Sequence, residues 1–186
     1  MNNTLIDNSI EALSMTATLR KCLAIDGIKT VSIATGYWDI PGLAILQENL
    51  RSFIEKDGTT LRLLIGKDPY IYANQLKSPK YKDANYPLDF IKTDIHELNV
   101  TEEYKDAIRL LLDYCTENND SKIQIRVFRK NENDETQFLH SKCYIFDGKS
   151  NGIGIGIVGS TNFTQKGLQG NAELNYIETC LLYTSD

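Results

Sequence analysis

The stretch FLHSKCYIFDG, residues 138–148, followed closely by IVGSTNFTQKG, residues 157–167, decides how this chain is read. QFLHSKCYIF, residues 137–146, carries Phe138, Tyr144, Ile145 and Phe146 and is bounded by the acidic loop NENDET and the turn DGKSNG, so it predicts a strand. Side chains alternate along a strand. Phe138, His140, Lys142 and Tyr144 therefore share one face, and Leu139, Ser141, Cys143 and Ile145 the other. His140 and Lys142 then stand about 6 to 7 Å apart along the strand. An imidazole and an ammonium on the same face of a core strand cost desolvation free energy unless an anion sits with them. A phosphate supplies that charge.

The spacing is specific. His140, Lys142 and Asp147 spell H-x-K-x(4)-D, Gly159, Ser160 and Asn162 spell G-S-x-N, and NAELN downstream supplies Glu173. In this the segment resembles the HKD motif of the phospholipase D superfamily. The resemblance runs over roughly residues 28–182, and VSIATGYWDIPGLAILQENL and LRLLIG also look like the opening of phospholipase D-like domains attached to bacterial helicases and restriction-type nucleases. The segment between Asp147 and Gly159 is longer than the family usually has, and a longer hairpin turn would absorb the excess.

That resemblance implies a phosphodiesterase needing neither metal nor cofactor. One histidine attacks phosphorus to form a phosphohistidine, a second protonates the leaving oxygen, and water completes the reaction. His140, Lys142 and Glu173 are the implied catalytic residues, with Glu173 orienting the imidazole. Lys142 and Asn162, assisted by Ser160, would hold the phosphate oxygens. Asp147 and Gly159 complete the motif as structural positions, and Asp147 before Gly148 also suits a turn. The chain carries the motif once, so the second histidine must come from another copy in a homodimer or from a second motif in a longer chain.

Outward from the motif, apolar residues at helical spacing from Ile6 to Leu23 predict a first helix, stopped by Gly27. IKTVSIATGYW reads as a buried strand. Asp39 as cap, the early Pro41 and the set Leu43, Leu46, Leu50, Phe53 and Ile54 then predict one helix ending at Gly58. TLRLLIG is a second strand, which suggests a parallel βαβ unit. Residues 68–86 read as a long loop, and residues 86–100, with His96 as a surface residue, as a helix. A further helix starts behind Thr101, with Ala107, Ile108, Leu111, Leu112 and Cys115 as its apolar stripe. SKIQIRVFRK, IGIGIVGS and AELNYIETCLLY are strands.

The expected architecture is an α/β, phospholipase D-like domain over residues 1–186: a mixed, largely parallel sheet flanked by helices, either whole or cut from a longer protein. Gly154, Gly156 and Gly159 satisfy G-x-G-x-x-G, but they alternate with isoleucines at strand period, whereas the dinucleotide fingerprint opens a helix. They are read as tight packing. Tyr37 and Trp38 at the end of the first strand are read as core rather than as site lining.

Bulk properties narrow the function. At 186 residues the chain can bury one good core. A net charge of −5 disfavours a surface coated with nucleic acid but permits a local basic groove. No apolar run approaches a membrane span, and the opening MNNTLIDNSIEALSM lacks a basic leader region, so a cytoplasmic location is expected, with Cys22, Cys115, Cys143 and Cys180 reduced. The N-x-S/T sequons at Asn2, Asn99, Asn119 and Asn162 are chance matches on that reading. A nuclease or nuclease-like module leads, with DNA ahead of RNA. A non-catalytic nucleic-acid-binding module of a larger helicase is second, and a phospholipid phosphatidyltransferase, for which nothing anchors the chain to a bilayer, is third.

Overall fold

The computed structural model describes residues 4–66, 101–115, 121–128, 139–148 and 152–181. The expected loop at 68–86, the helix at 86–100 with His96, and the NENDET loop lie outside these residues. Among the described residues seven strands form one sheet: β1 (Thr4–Asp7), β2 (Thr30–Thr35), β3 (Thr60–Ile65), β4 (Ile123–Val127), β5 (Lys142–Asp147), β6 (Ile153–Gly159) and β7 (Leu174–Leu181). Their order is β1-β7-β6-β5-β2-β3-β4. Among the described residues the α-helices are α1 (Met15–Ala24), α2 (Ile40–Ile45), α3 (Gln47–Ile54) and α4 (Glu102–Tyr114).

The α/β class stands, but the expected predominance of parallel pairing does not. Among the described strands only the pairs β2–β3 and β3–β4 are parallel. β5 docks antiparallel on β2, and β6, β7 and β1 continue that sense. The cause is chain economy. β5 ends at Asp147 and β6 begins at Ile153, with the Gly148 N–H donating to the Ile153 carbonyl at 2.8 Å, and strands joined by so short a connection can only pair antiparallel.

The expected first helix is corrected. Ile6 lies on β1, where the chain pairs with β7 in the register Thr4↔Ile177 to Asp7↔Leu174. Asp7 Oδ1 accepts from the Ser9 N–H at 2.9 Å and turns the chain, and a short 3₁₀ turn (Glu11–Leu13) follows. α1 begins only at Met15, where the Ser14 hydroxyl caps the Ala17 N–H at 3.2 Å.

The helix expected from Asp39 to Gly58 is two helices. Asp39 does cap it, accepting from the Gly42 N–H at 2.7 Å. At Leu46 the backbone leaves helical geometry (φ −114°, ψ 5°), although its side chain stays buried with Leu43 and Leu50. The break frees carbonyls, and Arg20 Nη2 donates to that of Ile45 at 3.0 Å. Thr101 caps α4 as expected, but the buried stripe is Ala107, Leu110 and Leu111. Leu112 points to solvent at 70% exposure, one position off the expected face.

Buried side chains of all four helices share one core with the inward faces of the strands, including Val31, Ile33, Leu61, Leu63, Tyr144, Phe146, Ile157 and Ile177. Burying each such side chain stabilises the fold by about 1.5–3 kcal/mol. The opposite face carries Leu64, Ile145, Val158 and Tyr176, all exposed among the described residues. Gly156 lies on that face, and a Cβ there would meet no atom within 4 Å, so tight packing does not explain it. Cys22, Cys115 and Cys143 carry free thiols, and burial pushes the Cys22 thiol up to about 11. No helix among the described residues is long and apolar enough to cross a membrane.

Candidate functional site

His140, Lys142, Ser160, Asn162 and Glu173 gather where β2 and β3 end, β5 begins, and β6 passes into β7. Strand alternation holds from Lys142 onward: Lys142, Tyr144 and Phe146 turn inward, and Cys143 and Ile145 outward. The strand is shorter than its sequence predicts. Residues 139–141 precede it, and His140 is exposed.

Two glycines make room for this approach. A Cβ on Gly36 would lie 3.1 Å from the Leu139 carbonyl, 3.6 Å from His140 Cα and 3.4 Å from Asn162 Oδ1. A Cβ on Gly66 would stand 2.5 Å from the Gly36 carbonyl and 2.6 Å from that of Leu139, closer than real Cβ atoms come. The chain bearing His140 thus crosses bare backbone at the carboxyl ends of two parallel strands, where ligands of open α/β sheets collect.

Lys142 is 8% exposed, and its Nζ donates to the His140 carbonyl at 2.9 Å. Burial lowers its pKa, and the Glu173 carboxylate pulls the other way. The ammonium and the backbone of His140 are therefore held as one unit, with Glu173 as the nearby counter-charge.

Glu173 is itself fixed at both oxygens. Ser160 Oγ donates to Oε2, and Asn171 Nδ2 donates to Oε1 at 3.1 Å. Ser160 Oγ also accepts the Leu174 N–H at 3.0 Å. The hydroxyl hydrogen of Ser160 is thus committed to the carboxylate, so in this arrangement Ser160 holds Glu173. Gly159 is required on steric grounds, because a Cβ there would stand 2.4 Å from both the Leu174 carbonyl and Asn175 Oδ1.

Asn162 is anchored through one end of its carboxamide. Oδ1 accepts the Tyr37 N–H at 3.1 Å, which leaves Nδ2 as the donor end. Asp147 lies elsewhere, at the far end of β5, paired with Thr30 and Gly154. Five residues of strand put it about 16 Å from Lys142. Its backbone carbonyl accepts the Lys29 N–H at 2.9 Å, which extends the pairing with β2.

Sequence reasoning missed the residues that hold the G-S-x-N turn. Tyr144 donates its hydroxyl to the Thr161 carbonyl at 2.9 Å, Asn175 Nδ2 donates to Thr161 Oγ1 at 2.7 Å, and Asn175 Oδ1 accepts the Thr161 N–H at 3.2 Å. All three residues are essentially inaccessible, and burial drives the Tyr144 phenol far up. On the β2 side, Thr35 bridges Tyr37 and Phe163. Trp38 is buried in the core, as expected, and pairs with Phe163 in an isolated parallel bridge, whereas Tyr37 is only half-buried and lies outside the core cluster. Among the described residues no three His, Cys, Asp or Glu side chains gather in a way that could hold a metal ion.

Chemically, the site offers one exposed imidazole beside a buried ammonium, an oriented amide donor and a fixed carboxylate. Among solved structures the chain is similar to NucT from Helicobacter pylori, at 14% identity over 96% of this chain and 84% of that one, with a TM-score of 0.51. It is similar to Nuc from Salmonella typhimurium, a phospholipase D family member, at 14% identity over 95% and 81% of the two chains, TM-score 0.50. Yeast tyrosyl-DNA phosphodiesterase aligns at 8% identity over 96% of this chain but only 32% of its own, TM-score 0.50, so the present chain spans about a third of that enzyme. At such identities the likeness is one of fold. No curated protein matches the sequence. Residues 23–179 match the family described as cardiolipin synthase, PLD-like domain, and the chain belongs to that phospholipase D-like family.

Proposed function

We propose that this domain is a nuclease-type phosphodiesterase in which His140 forms a phosphohistidine. The observation that carries the reading is the convergence of His140, Lys142, Asn162 and Glu173 on the carboxyl ends of the parallel strands. Lys142 and Asn162 Nδ2 bind the non-bridging oxygens and draw charge off phosphorus in the transition state. As the imidazole nitrogen of His140 bonds to phosphorus, the bond to the leaving oxygen breaks, and that oxygen takes a proton from a second imidazole. Water then displaces the histidine and releases the phosphate monoester.

Glu173, held by Ser160, keeps Lys142 charged by opposing the effect of burial. The second imidazole comes from another copy across a two-fold axis, or from a later domain of a longer chain. Nucleic acid is the preferred substrate, DNA ahead of RNA, in line with the names of the similar solved structures.

The test offers wild type labelled single- and double-stranded DNA, a small synthetic phosphodiester and phospholipid vesicles, all in EDTA. DNA cleavage that survives chelation is expected. Tight DNA binding with no cleavage of any substrate would favour a non-catalytic binding module. Cleavage of phospholipid alone would replace the substrate class but keep the chemistry.

A further inference from the structure

The fully buried Thr35 takes part in neither the motif nor the sheet's apolar core, yet its hydroxyl joins two segments that wall the site. Thr35 Oγ1 donates to the Tyr37 carbonyl at 2.7 Å and accepts the Phe163 N–H at 3.0 Å. Its single hydrogen is used on Tyr37, so Asn162 Oδ1, 3.4 Å away, draws its hydrogen bond from the Tyr37 N–H instead. Were the carboxamide reversed, its NH₂ would face the Tyr37 N–H, donor against donor. Thr35 therefore holds Tyr37, the residue whose N–H fixes Asn162.

We propose that Thr35 is a positioning residue that locks the Asn162 carboxamide with Nδ2 as the donor presented to a bound phosphate. The clause about phosphate rests on the phosphodiesterase reading above; the locking of the amide does not. Thr35→Val keeps the side-chain shape but leaves the Tyr37 carbonyl and the Phe163 N–H without their buried partner. Thr35→Ser restores the hydroxyl. Thr59 provides a control: it is equally buried and donates to the Lys56 carbonyl at 2.8 Å, but it precedes β3 at the end of the sheet away from the site.

Two readouts apply. The first is the Asn162 side-chain amide in ¹⁵N–¹H spectra, assigned by its disappearance in Asn162→Ala. Thr35→Val should broaden or split this pair of signals, while Thr35→Ser and Thr59→Val leave it sharp. The second is the Kd for inorganic phosphate, which should rise about tenfold in Thr35→Val, stay near wild type in Thr35→Ser and Thr59→Val, and rise no further when Thr35→Val is added to Asn162→Ala. If Thr35→Val does not fold, Thr35→Ala is judged by the same criteria.

Unchanged Asn162 signals in the folded variant overturn the proposal, as does an equal tenfold loss on the Asn162→Ala background. A wild type that neither binds phosphate nor cleaves a phosphodiester counts against the function proposed for the domain. The amide signals then decide the role of Thr35 by themselves.

Discussion

Replacing Asn175 by alanine tests whether the turn carrying Asn162 is clamped as the hydrogen bonds indicate. Asn175 is 1% exposed and makes two bonds to Thr161, one to its N–H and one to its hydroxyl. The alanine cannot replace either. A buried N–H left bare costs about 1–3 kcal/mol, and losing the second bond about 0.5–1.5 kcal/mol more. Together these give roughly 3 kcal/mol, a large share of the ~5–15 kcal/mol that stabilises a typical domain. At about 2–4 °C per kcal/mol for a chain of this size, Tm should fall by about 6–12 °C. Urea titration is the assay, with the midpoint falling at unchanged slope. Tyr144→Phe strips the Thr161 carbonyl of its 2.9 Å donor and should cost about 1–2 kcal/mol alone. Both residues clamp one turn, so the double variant should lose less than the two singles added together. A loss below about 1 kcal/mol for Asn175→Ala, or strict additivity in the cycle, would refute the clamp.

Two glycines on the sheet should behave oppositely. Gly66→Ala drives a Cβ to 2.5 Å from backbone and should destabilise strongly, by about 2 kcal/mol or more, whereas Gly156→Ala meets open space and should be near neutral; paired thermal melts check both. Glu173→Gln removes the carboxylate that holds the Lys142 pKa up against burial. The charged ammonium loses its counter-charge, so that pKa falls further below its ordinary value. Titration of the Lys142 Nζ by NMR should show this, and the alkaline limb of any cleavage activity should move to lower pH. An unchanged Lys142 titration would mean that Glu173 does not act on it.

Local rules carried much of the fold into the sequence. Asp39 and Thr101 are legible as caps because capping is settled within three residues. The alternation of β5 is legible because one face is buried and the other open. What escaped depends on partners far along the chain. β1 is four residues long and gains strand geometry only by pairing with β7, some 170 positions away. The sense of most strand pairs follows from where β5 docks, which periodicity does not encode.

The site divides in the same way. His140, Lys142, Ser160, Asn162 and Glu173 stand out through the family motif they resemble. Thr35 and Asn175 matter through what they hold across 128 and 14 positions. Gly36 and Gly66 had a faint signal, since each ends a β-rich run at the carboxyl side of a predicted parallel strand. Only the crossing of residues 139–140 shows why a side chain is excluded there.

The most direct test of the central claim is to stop turnover of a phosphodiester labelled on its phosphoryl group and map the label on the protein. The account predicts an acid-labile, alkali-stable label on the peptide containing His140. In His140→Asn both the label and steady-state cleavage should be gone, with the melting temperature unchanged. Cleavage that persists in His140→Asn, or wild-type turnover with label on another residue, would contradict it.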